Sequence, residues 1–156
     1  MNALTVVQVV ALLCSGLKAG ALLGDRAGAR FARPVLSPSS FVKFQQVQLL
    51  RWDKLMPVLS SVAVLSSIAW LVMIRHGIGN IAFTLVALAA AANTASMIFA
   101  LMGCWPINKQ LMTWSPASPP PDMMNTWERW ERVNDIRTVL AVFAFACVIM
   151  GFARPA

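Results

Sequence analysis

Near the C-terminus, four side chains recur at helical spacing: Trp127, Trp130, Asn134 and Arg137. Residues three and four apart on a helix share a face, so this order sets two indoles, an amide and a guanidinium in one stripe. Indole faces hold a flat apolar ligand, while an amide and a planar cationic fork grip an oxygen on which negative charge develops. The step Trp105-Pro106-Ile107-Asn108 adds a third indole and a second amide. On this reading Arg137, Asn134 and Asn108 form the catalytic set, and Trp105, Trp127 and Trp130 wall the ligand. A plainer arrangement fits the same stripe: an aromatic belt at a membrane interface above an arginine that reaches back to the headgroups. The opposite face carries Glu128, Glu131, Arg132 and Asp135, which read as solvated charges pairing with one another.

Two polar residues sit deep in apolar sequence. Lys18 either snorkels to the basic end of its span or points inward to a polar pocket. Asn93 either makes an interhelical hydrogen bond or lines the same pocket, because a lone amide is costly in hydrocarbon. Both join the candidate ligand-binding set. A base is harder to find. The single histidine, His76, falls on an exposed turn, and Glu131 and Asp135 lie on the wrong face. A desolvated, neutral Lys18 is the remaining candidate. Cys14, Cys104 and Cys147 are far apart, form no CxxC pair and read as apolar packing residues. With no His/Cys/carboxylate cluster, neither a metal nor a cofactor is expected.

These residues need a scaffold, and composition says which kind. The chain is 58% hydrophobic and 12% charged, with a mean hydropathy of +0.67. A water-soluble domain carries about 25% charged residues. Four apolar stretches, at about 4–24, 56–74, 80–104 and 137–153, approach the ~20 residues that cross a bilayer. The expectation is an all-α, membrane-embedded, up-and-down four-helix bundle forming a single domain over 1–156. Residues 25–55 read as a loop holding an interfacial amphipathic segment before the second helix. Ser37 would cap that segment, Pro38 would sit in its first turn, and Pro57 would kink it or separate it from the span. The third span should end at Pro106. Pro119-Pro120-Pro121 stiffens the connection to helix four, where Asn125 and Glu128 have capping-box spacing. Gly16, Gly20 and Gly24 form one small-residue seam and Ala87, Ala91 and Ala95 another. They are expected to pack on each other, and they offer a surface for a homo-oligomer.

The net charge of +7 is unevenly placed. Arg26, Arg30, Arg33, Lys43, Arg51 and Lys54 lie in the first loop, and Lys109, Arg129, Arg132 and Arg137 lie in or after the third. Only Arg75 and Arg154 lie on the other side. The positive-inside bias puts residues 25–55 and 106–136 in the cytoplasm and both termini outside. Membrane lipid is the natural partner. Nucleic acid is not, since no basic stripe with interleaved aromatics occurs outside these loops.

The Pro106-x-Asn108 step, the Trp130-x-x-x-Asn134-x-x-Arg137 run and the glycines of span one resemble the anthrone oxygenase-like integral membrane family. The resemblance implies oxidation of a polyketide anthrone to an anthraquinone by molecular oxygen, with no metal or flavin. Arg137 would then face the enolate oxygen of a flat phenolic substrate. Two other classes remain open: a non-enzymatic membrane subunit that binds a lipid or a protein partner, and a four-helix glutathione-dependent membrane enzyme. The acidic and arginine/asparagine motif of the latter is not visible early in the second helix.

Overall fold

In a computed structural model, which describes residues 2–154, the chain is a ring of four long helices. All four are long and apolar enough to cross a membrane. Ala156, expected beside the N-terminus, lies outside the described residues. Helix α1 (Ala3–Val35) packs on α2 (Pro38–Met73) and α4 (Met123–Phe152), and α3 (Ile81–Met112) packs on the same two. This is the expected up-and-down bundle. Side-chain caps start three of the helices. The Asn2 side chain accepts from Thr5 N, Ser37 from Ser40 N, and Asn80 from Phe83 N.

The loops are where expectation and structure part. The first loop is almost entirely helical. α1 does not stop at Gly24 but passes through a π turn at Asp25–Ala29 and ends in a 3₁₀ turn at Arg33–Val35. Its cations are used to hold this extension against α4: Arg26 and Arg30 pair with Asp135, and Arg30 also with Glu131. Glu131 and Asp135 therefore form their ion pairs with α1 and not with cations of α4, while Glu131 also accepts from Trp127 Nε1 at 3.0 Å. The amphipathic segment is no separate element either. α2 runs unbroken through Pro57. Tertiary packing outweighs the lost backbone bond, because Phe41, Val42 and Leu49 are held in a core with Leu111, Trp114, Trp127 and Trp130.

α3 likewise continues past Pro106 to Met112, after a π turn at Ala100–Cys104. A π turn breaks the regular bonding ladder just ahead of the residue that cannot donate to it. α4 begins after Asp122, so Asn125 lies inside its first turn and no capping box forms.

The small-residue seams do not meet. A Cβ on Gly16 would sit 2.9 Å from the Phe145 ring, but Gly20 and Gly24 have nothing within 4 Å. On α3 the inward face is Val86, Ala89, Ala90, Asn93 and Ser96, with Ala91 exposed. Lys18 explains the rotation of α1. It is two residues from both Gly16 and Gly20, roughly 200° around the helix, so the lysine and those glycines cannot all face inward. Burying the charge turns Gly20 and Gly24 outward and leaves only Gly16 near another helix.

Candidate functional site

The α1 and α2 extensions, the end of α3 and the start of α4 enclose a cavity of about 220 Å³ at one end of the bundle. The α4 stripe forms its back wall. Trp127, Trp130, Asn134 and Arg137 are all buried and all line it. The two indoles stack at 4.4 Å, and Phe41 meets Trp127 edge-on at 5.4 Å. Arg33 lies over both, 5.0 Å from the Trp127 ring and 5.8 Å from Trp130. Its guanidinium pairs with the buried Asp25 carboxylate, which also accepts from Gln48 Nε2 at 3.1 Å. This clamp holds the aromatic wall in one geometry.

Arg137 points inward and is only 6% exposed, which disposes of the interfacial-belt arrangement. Its Nη1 donates to Asn134 Oδ1 at 3.1 Å and to Cys104 Sγ at 3.4 Å, and its Nε has no partner. Among the described residues no carboxylate pairs with it. A buried guanidinium without a counter-ion is a strong site for an anion that forms during a reaction.

Asn108 does a different task from the one expected. It does not reach Arg137. Trp130 Nε1 donates to Asn108 Oδ1 at 2.8 Å, and Asn108 Nδ2 donates to Asp53 Oδ1 at 2.9 Å. An indole N–H can only donate, so the amide oxygen must face Trp130 and the amide nitrogen must face Asp53. Asn108 thus orients a carboxylate. Asp53 lines the cavity, whereas Lys18, the expected candidate for a base, does not. Trp105 stands at the rim, 40% exposed, with Lys109 Nζ 5.2 Å from its ring centroid.

Lys18 and Asn93 are not in the cavity wall. They form a separate polar knot between the helices. Lys18, fully buried, donates to Asn93 Oδ1 at 3.3 Å and to its backbone carbonyl at 3.5 Å. Asn93 Nδ2 donates to Ser15 Oγ at 3.2 Å and Ser67 Oγ at 3.4 Å. One turn along α3, Ser96 Oγ donates to the Arg137 carbonyl at 3.3 Å, so the knot underpins the site from below. Lys18 does not snorkel, and Asn93 makes the interhelical bonds.

Sequence reasoning missed Asp53, Cys104 and the Asp25–Arg33 pair. Asp53 carried a signal: it is the sole carboxylate of α2, beside Trp52, and stands just before the apolar run. Gln45, Leu49, Met56 and Ser60, which share the cavity, follow the helical period that points at it. The Asp25–Arg33 pair carried no such signal, since a loop was expected there.

The anthrone oxygenase family profile matches residues 50–147. The match includes Asp53, Asn108, Trp130, Asn134 and Arg137 and excludes α1 with its glycines, Lys18 and Arg33. No curated protein and no solved structure matches the chain. A profile that covers well over half of the chain, and every polar residue of the back wall, shows that the chain belongs to the anthrone oxygenase family.

Proposed function

We propose that this protein oxidises a flat phenolic polyketide of the anthrone class with molecular oxygen, needing no metal or flavin, in the cavity at the basic end of the bundle. The observation that carries the reading is the pairing of opposites in one cavity: an unpaired buried cation, Arg137, and an oriented carboxylate, Asp53. An anthrone needs both. Its methylene hydrogens are acidic because the resulting carbanion is the enolate of the ring ketone. Asp53 takes the methylene proton, and Arg137 with Asn134 holds the charge that gathers on the ketone oxygen. The electron-rich ring then transfers one electron to oxygen, and the substrate radical and superoxide combine at the former methylene carbon. Protonation by the Asp53 carboxylic acid gives a hydroperoxide. Loss of the second proton from that carbon breaks the O–O bond, releasing water and leaving the quinone carbonyl. One oxygen atom ends in the quinone and one in water, and the ring carbon supplies both pairs of electrons.

The indole wall orients the ring plane, and Asn108 holds the base as a positioning residue. The uneven basic charge of the chain supports a cytoplasmic position for this end of the bundle. The test is oxygen uptake by the protein in phosphatidylcholine vesicles supplied with 1,8-dihydroxyanthrone, with protein-free vesicles as the measure of spontaneous oxidation. The wild type should exceed that background, and Asp53→Asn should lose about 100-fold or more of the excess rate. Uptake no faster than in protein-free vesicles overturns the reading. One observation favours a second reading, a non-enzymatic subunit that docks on a membrane partner: the Gly20 and Gly24 positions of α1 have nothing packed against them.

A further inference from the structure

The cavity walls differ sharply in exposure. Each lining residue from α1 and α4 is buried, including Asp25, Arg33, Trp130 and Arg137. The exposed ones come only from α2 and α3: Pro57 on one side, and Leu101 and Trp105 on the other. Leu101 is 54% exposed. The mouth of the cavity therefore lies between α2 and α3, on the flank of the bundle.

Both lips also depart from ordinary helical bonding at this level. α2 carries Pro57, which has no backbone N–H, and α3 carries the Ala100–Cys104 π turn that contains Leu101. Departures of this kind cluster where a helix lines a functional cavity. The lips are apolar at Pro57, Met97 and Leu101, while the polar groups of the site lie behind them. A hydrated or charged solute gains nothing from such a slot. A flat apolar molecule dissolved in the bilayer meets a surface like the one it leaves.

We propose that the substrate reaches the cavity sideways from the membrane, through a slot between α2 and α3 whose lips are Pro57 and Leu101. This rests on the reading of the cavity as the substrate site, and it narrows the substrate class to neutral, lipid-partitioned fused-ring phenols. It also assigns the supply step. The preceding reaction must release its aromatic product into, or at, the membrane.

Lip residues and wall residues have different kinetic signatures. A bulkier lip hinders passage in both directions, so association and release slow together and Kd stays put. A bulkier wall changes Kd. The probe is 9,10-anthraquinone, which quenches tryptophan emission, mixed rapidly with the protein in phosphatidylcholine vesicles. Leu101→Trp should slow association and release alike, by about tenfold, with Kd held to within about twofold. Pro57→Trp on the opposite lip should do the same and stands in if one variant fails to fold. Ile98→Trp adds the same ring on α3 at an exposed position that does not line the cavity, and should match the wild type. Wild-type kinetics in both lip variants overturns the proposal, as does a changed Kd with unchanged association. Quinone binding without oxygen uptake would leave the slot standing and remove the oxidase reading. No quinone binding by the wild type would overturn both.

Discussion

Trp130→Phe removes the indole N–H together with part of the ring, and leaves a phenyl ring against Trp127. That N–H stands 2.8 Å from Asn108 Oδ1 and dictates which way the amide faces. Without it, the buried amide oxygen loses a bond whose net contribution is about 1 kcal/mol, and nothing prevents the amide from turning over. A turned amide presents its oxygen to the Asp53 carboxylate in place of the 2.9 Å N–H donor, and two acceptors repel. A penalty of about 1.4 kcal/mol on the reactive orientation corresponds to about a tenfold loss of rate. We therefore expect kcat for oxygen uptake to fall about tenfold. KM should change little, since the aromatic wall remains. The decisive assay is a double-mutant cycle in vesicles. In an Asp53→Asn background there is no carboxylate left to orient, so Trp130→Phe should cost less than about twofold more. If it costs the full tenfold there as well, the Trp130–Asn108–Asp53 chain does not act as a unit and the argument fails.

Arg137→Lys keeps the charge but loses the planar fork that bonds Asn134 and faces the cavity. Turnover should fall about 100-fold, while thermal unfolding in detergent shows a protein that is still folded; near-wild-type turnover would remove Arg137 from the chemistry. Asn93→Leu breaks three side-chain bonds that tie α1, α2 and α3 together. At about 0.6 kcal/mol each in a membrane bundle, the loss is about 2 kcal/mol by detergent unfolding. The pair Lys18→Met/Asn93→Leu should recover much of that loss, because no buried ammonium is left without its acceptor. A double variant less stable than Asn93→Leu alone would contradict this account. Gly16→Leu should lower the melting temperature by forcing Phe145 aside, and Gly20→Leu should not change it. The opposite ranking would mean that the glycines, not Lys18, set the rotation of α1.

The candidate site was legible in part. The stripe from Trp127 to Arg137 was visible because helical spacing alone puts those residues on one face, and the structure buries all four. Spacing does not say which face looks inward. For α4 the stripe itself was the inward face. For α1 the glycines were the conspicuous pattern, yet Gly20 and Gly24 turned outward, because a buried ammonium can find Asn93 only inside the bundle. Partners distant in sequence were equally out of reach. Nothing local ties Asp53 to Asn108, 55 residues on, and Asp25 meets Arg33, eight residues on, only because α1 continues through the π turn.

The four apolar runs, their alternating direction and the uneven basic charge are properties of the sequence by itself. A segment too apolar for water must enter the bilayer, whatever its neighbours do. Where the helices stop was decided only by tertiary structure. Taken alone, Gly24, Pro57 and Pro106 mark helix ends, but each lies within a longer helical run here, because packing and ion pairs between helices outweigh the local cost of carrying on. Those extensions build the cavity, so the cavity itself and the meeting of Asp53 with Asn108 come from the assembled bundle.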